Sequence, residues 1–164
     1  LKAAEAFASP STAEVAHIDL LIGVRDGPVG KTLQETLANP RAGHEPQLVR
    51  FGNKTVKPDT LLVPTVTVRT ESQAKLVYVH AMSGVGKAVV DSVEDGLLPK
   101  DALEELVMIA NVFVHPTASN LKRVMINNYK AMVWAIRRAL EARPTLEELM
   151  ERKESARHPF RYEP

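Results

Sequence analysis

Within the apolar stretch EVAHIDLLIG, residues 14 to 23, His17 and Asp19 stand two residues apart. An imidazole titrates near neutrality, so it can give or take a proton at working pH. Burial lowers the pKa of such a ring and a nearby carboxylate raises it. Side chains alternate along a strand, which puts Val15, His17, Asp19 and Leu21 on one face. Ala16, Ile18, Leu20 and Ile22 form the other, a fully apolar face that must meet a core. Two ionisable groups then lie roughly 7 Å apart along one side of a strand. They are either a satisfied structural pair or a site.

Other familiar chemistry is largely missing. The five histidines, His17, His44, His80, His115 and His158, are scattered and show no H-x-x-x-H spacing. A metal site built on His17 and Asp19 would need ligands from elsewhere in the chain, so none is expected. The segment GVGK at 84 to 87 lacks the spacing of a phosphate-binding loop and falls inside a helical pattern. There is no G-x-S-x-G elbow, and Ser83 has no evident base. The absence of cysteine removes disulfides, thiolate zinc sites and cysteine nucleophiles together.

The elements that must position the pair follow from periodicity. Residues 1 to 12 look like a loose lead-in with a turn at SPST. After the His17 strand, RDGPVGKTLQETLANP predicts a helix with Pro28 in its first turn and a stop at Asn39-Pro40. QLVRF is a short strand. TLLVPTVTVR is a longer one, demoted to an edge or a bulge by Pro64. A helical pattern runs from Glu71 to about Glu94, interrupted by Ser83-Gly84 and Gly86, which either permit close packing or weaken the helix. ELVMIANVFVHP predicts a strand buried on both faces. A long helix spans about Leu121 to Glu141, with a core stripe of Leu121, Met125, Tyr129, Met132, Ile136 and Leu140. A short amphipathic helix, RPTLEELMERK, leads into an extended tail from about residue 154.

That order predicts an α+β domain occupying residues 1–164, with helices on one side of a four-stranded sheet. The opposite face must be covered or functional, and His17, Asp19, Thr65 and Thr67 are candidates for it. The 164 residues suit one domain, and 21 basic against 20 acidic residues give no whole-chain basicity that would point to nucleic acid. The basic residues near the C-terminus alternate with Glu, as on a solvated surface. No long apolar run marks a leader or a membrane span, so a cytoplasmic protein is expected.

The stretches EVAHIDLLIG, LANPRAGH, VKPDTLLV, AVVDSVEDGLLPKD, VFVHP and RKESARHPF, in this order, resemble the formaldehyde-activating enzyme family along almost the whole chain. The resemblance implies condensation of formaldehyde with tetrahydromethanopterin, giving the methylene-bridged pterin and water without a metal. It implies a homopentamer with the pterin between subunits. It also implies a two-layer α/β sandwich like a domain of a small-subunit ribosomal protein. His17 matches the family's catalytic acid and Asp19 a substrate-binding aspartate, while Leu48 and Thr67 fall on further binding positions.

Four positions depart from the pattern. Thr65 stands where the family commonly has a lysine, and Met82 where it has a pterin-contacting glutamine; Val79-His80 replaces a Gly-Pro pair. Losing polar partners costs about 1 kcal/mol each. The alternatives are therefore altered acceptor or aldehyde specificity, or a non-catalytic protein that binds a pterin or a formaldehyde adduct.

Overall fold

A computed structural model describes residues 1–155 of the chain. In chain order the main elements are β1 (Lys2–Ala8), β2 (Ala16–Val24), α1 (Pro28–Ala38), β3 (Gln47–Leu48), β4 (Arg50–Phe51), β5 (Lys54–Thr55) and β6 (Asp59–Pro64). They continue with α2 (Glu71–Lys75), a π-helical segment (Leu76–Ala81), α3 (Met82–Glu94), β7 (Leu106–Val114), α4 (Leu121–Glu141) and α5 (Leu146–Arg152). β1, β2, β7, β6 and β3 form a mixed five-stranded sheet in that order, while β4 and β5 pair separately. All sheet pairings are antiparallel except β6 with β7.

The fifth strand is β1, in the segment expected to be a lead-in. Its composition hides it, because KAAEAFA contains no β-branched residue and β-propensity is silent on alanine. Packing supplies the reason for it. Ala6 and Ala8 are 0% and 2% exposed, and their small side chains let α4 lie close over the sheet edge. Pairing with β2 then fixes the register, with Glu5 opposite Asp19 and Phe7 opposite His17.

The period-2 division of β2 holds. Ala16, Ile18, Leu20 and Ile22 belong to the main core with Leu62, Met108, Ala110 and Val112, under α3 and α4. Each fully buried Leu or Ile of this layer stabilises by about 1.5–3 kcal/mol. Helices cover both faces, contrary to the one-sided layering expected. Val29 and Leu33 of α1 pack on Leu61, Val107 and Ile109, with Leu21, Leu48 and Val63 beside them, on the second face. α1 covers only that part, and the rest of the face carries His17.

α1 starts at Pro28 and stops at the Asn39 cap, as its sequence signals require. The continuous helix over residues 71–94 begins with a capping box between Thr70 and Gln73. Its glycines serve close packing: a side chain on Gly84 would run into the Met125 carbonyl of α4, and one on Gly86 would come within 2.6 Å of the Arg50 carbonyl. α4 spans the expected residues, and Met132 and Ile136 of its expected stripe are fully buried, with Tyr129 and Leu140 packed beside them. Ala131, Ala135 and Ala139 are almost fully buried as well, whereas Leu121 is 46% exposed. The expected QLVRF strand divides into β3 and β4 around the buried Val49. The tail from Ala156 onward lies outside the described residues.

Candidate active site

His17 and Asp19 leave β2 on the face opposite the main core, beyond the part that α1 covers. Cross-strand partners share a face, so the register builds two rows across the sheet. One runs Glu5, Asp19, Asn111, Val63; the other runs Phe7, His17, Phe113. The His17 ring stacks on Phe7 at 4.0 Å between centroids and 6° between planes. Its Nε2 lies 3.3 Å from Glu5 Oε2 and 3.2 Å from Asp19 Oδ1. The contact to Glu5 has hydrogen-bond geometry. An ionised carboxylate only accepts, so Nε2 carries the proton and donates it toward Glu5. The His17 side chain is 23% exposed, while Glu5 and Asp19 are 61% and 50% exposed. A ring fixed on one side by an aromatic plane, with Nε2 on the uncovered sheet face, can exchange a proton with a ligand bound there.

Glu5 and Phe7 were not among the sequence candidates. The one available signal was the alternation of Ala4, Ala6 and Ala8 with Ala3, Glu5 and Phe7, followed by the SPST turn that returns the chain to His17. Nε2 of His17 and one carboxylate oxygen from each of Glu5 and Asp19 lie within 4.8 Å of one another, close enough to hold a metal ion. A cation there would have to replace the Nε2 proton.

The other candidates divide into two groups. Thr65 and Thr67 lie past the end of β6, which stops at Pro64 instead of running to Arg69. The Thr65 amide still bonds to the Val112 carbonyl at 3.0 Å, and the residue is exposed. Thr67 is held by His44, a residue that sequence reasoning gave no role. His44 Nδ1 donates to the Pro64 carbonyl at 2.8 Å, leaving Nε2 to pair with Thr67 Oγ1 at 2.9 Å. Leu48 sits on β3, half-buried against the α1 cluster and three strand positions from β2, roughly 14 Å across the sheet. An open cleft of about 380 Å³ joins the two sides, lined by Thr36, Asn39, Arg41, His44, Thr65 and Asn111 among others. Asn111 stands beside Asp19 in the sheet, so the cleft begins where the His17 cluster ends.

Met82 belongs to neither group. It is 5% exposed and packs in the main core, on the other side of the sheet from His17, so within one chain it does not join the candidate site. Val79, by contrast, is 51% exposed on the π-helical segment.

Comparison with known proteins gives one consistent result. Residues 3–161 match the family described as formaldehyde-activating enzyme (Fae). The chain is 47% identical over 148 residues to a 5,6,7,8-tetrahydromethanopterin hydro-lyase of Methanosarcina barkeri, covering 90% of this chain and 83% of that protein. It is 42% identical over 148 residues to a bifunctional enzyme Fae/Hps of Archaeoglobus fulgidus. A bifunctional enzyme Fae/Hps of Methanothrix thermoacetophila is 46% identical over 147 residues. The chain spans only 38% of either bifunctional protein.

Proposed function

Because this chain belongs to the formaldehyde-activating enzyme family, we propose that it condenses formaldehyde with tetrahydromethanopterin to give methylene-tetrahydromethanopterin and water. It is accordingly a hydro-lyase of the carbon–oxygen class, with the reduced pterin as co-substrate. The observation that carries this reading to particular residues is the His17 ring, stacked on Phe7 with Nε2 in reach of two carboxylates on the uncovered sheet face.

The chemistry needs a proton at one moment. A pterin nitrogen adds to formaldehyde to give a carbinolamine, whose hydroxyl leaves badly as hydroxide. His17 delivers a proton from Nε2 as the C–O bond breaks, so that water departs. The second pterin nitrogen then closes the bridge onto the same carbon. Holding both nitrogens beside the one-carbon unit makes closure effectively unimolecular. Asp19 accepts hydrogen bonds from the amino-pyrimidinone edge, a role suited to a carboxylate. Leu48 and Thr67 contact the pterin from the β3 side, Thr67 being pre-oriented by His44. Thr65 offers a hydroxyl where relatives in the family commonly have a lysine.

We infer from the family resemblance a homopentamer with the pterin bound between copies. We further infer a single domain over residues 1–164, an α+β fold related to the ribosomal-protein domain, and a cytoplasmic location. The buried Met82 and the exposed Thr65 favour a second reading, altered acceptor or aldehyde specificity on the same acid. Formaldehyde consumption with tetrahydromethanopterin, measured for wild type, His17→Ala and a blank without enzyme, separates these. Acceleration that vanishes in His17→Ala supports the family reaction. A folded, assembled wild type no faster than the blank overturns it in favour of another acceptor or a binding role. A monomer on sedimentation would overturn the shared cleft.

A further inference from the structure

His17 has one hydrogen on Nε2 and two carboxylates within reach of it, so one of those carboxylates must be left with spare acceptor capacity. The directions decide which. Glu5 Oε2 accepts the Nε2–H at 3.3 Å with hydrogen-bond geometry, whereas Asp19 Oδ1 lies 3.2 Å from the nitrogen as an ion-pair contact alone. Asp19 is therefore the carboxylate free to receive donors from a ligand. Glu5 is the one already occupied with the acid.

From this we infer that Glu5 is a positioning residue of the reaction, holding the proton on Nε2 of His17 while Asp19 is engaged by substrate. The inference rests on the reading of His17 as the acid. A carboxylate in contact favours the charged imidazole, and the acid must regain a proton after each turnover. Glu5 is suited to that step because it is 61% exposed and connects Nε2 to bulk water. Its own place is set by β1, whose backbone is gripped from the far side: the Arg138 guanidinium donates to the Glu5 carbonyl at 2.9 Å. Phe7, two residues on, stacks on the imidazole and fixes its plane.

The charged surroundings of His17 are few. β1 contributes Glu5 and β2 contributes Asp19; the neighbours on β7 are the uncharged Asn111 and Phe113. His115 lies beyond the Phe113 ring, with 6.2 Å between the centroids. Arg138 of α4 is directed at the Glu5 backbone, and Arg137, Glu141 and Arg143 line an open cavity on the Phe7 side. Among the described residues, removing the Glu5 charge leaves Asp19 as the one carboxylate in contact with Nε2, and that anion is taken up once substrate binds.

The test compares intact wild type with Glu5→Gln, which keeps shape and loses charge, and with Glu5→Asp. Two quantities are read: the pH at which the His17 ring signals are half-titrated by NMR, and kcat and KM with tetrahydromethanopterin as a function of pH. Glu5→Gln is expected to lower the His17 midpoint, because it removes a charge in contact with Nε2. Its kcat should fall about tenfold above neutral pH with KM for the pterin unchanged, and Glu5→Asp should recover part of both. An unmoved midpoint overturns the inference, as does a kcat loss that is equal at every pH or tracks a drop in melting temperature. A midpoint that moves in a protein whose wild type does not turn over keeps the Glu5–His17 coupling and overturns the reading of the reaction instead.

Discussion

Strand β2 ends in an ionic cluster at each of its two ends, and the two are built differently. Just past its C-terminal end, Arg25 donates to Asp59 at 2.9 Å and to the Glu104 carbonyl at 3.0 Å. Lys57 reaches Asp59 at 3.2 Å and Glu104 at 2.7 Å. Two cations meet two anions there, and each is engaged more than once or by more than one partner. Near its other end, two carboxylates share a single imidazole N–H. The first cluster is saturated and ties the start of β6 to the β2 end; the second has acceptors to spare. A cluster whose charges balance needs no further partner, whereas acceptors left over can take a ligand's donors.

The largest effect that would break this contrast is on catalysis. His17→Gln keeps a donor of similar size but cannot surrender a proton, so activity should fall by about 100-fold or more, with the melting temperature within a few degrees of wild type. A variant that retains a tenth of wild-type activity would remove His17 from the role of acid. The matching change at the other cluster should do the reverse. Asp59→Ala leaves Arg25 without its carboxylate in a part-buried setting, and should cost about 1–2 kcal/mol of stability. Activity per folded molecule should be unchanged, as measured after denaturant unfolding has given the folded fraction.

The sequence and the structure agree best where a local rule is strong. Alternation alone puts His17 and Asp19 on one face, and Pro28 with Asn39-Pro40 bounds α1. What the sequence leaves hidden depends on partners distant in the chain. Glu5 is 12 residues from His17, and only the β1–β2 register brings them together. β1 itself exists because alanines fit beneath α4, a packing reason that propensity does not carry. The stripe of α4 is widened for the same cause: Ala131, Ala135 and Ala139 are buried beside the expected Met132 and Ile136. The family resemblance sets Met82 on a binding position, yet its side chain enters the core. Sequence matching gives a position on a helix, while the choice of face belongs to packing.

Acid titration sharpens the contrast further. Burial works against ionisation of Asp59, but the hydrogen bonds from Arg25 and Lys57 outweigh it and hold the carboxyl below its ordinary value. A depressed carboxylate contributes stability that is present above its unfolded pKa and is lost as pH falls through the folded one. Wild type should therefore lose stability below about pH 4, and Asp59→Asn should show a shallower decline over that window. Equal slopes in urea midpoints between pH 5 and pH 2 would show that the saturated cluster does not contribute through Asp59.

The smallest effect is expected at the rim of the same cluster. Glu104 is 77% exposed, and its carboxylate pairs with Lys57 across solvent. Lys57 is held above its ordinary value first by Glu104 and then by Asp59, so its pairing contributes stability that is lost only as pH rises past the usual lysine range. At neutral pH that window is far off, and exposed pairs of this kind are worth little once salt screens them. Glu104→Gln should thus change stability by less than about 0.5 kcal/mol, because Asp59 still holds Lys57 and the Glu104 carbonyl still holds Arg25. A loss as large as that of Asp59→Ala would mean that the cluster acts as one unit. In that case the division into a buried pair and an exposed rim would fail, and the contrast with the His17 end would rest on charge count alone.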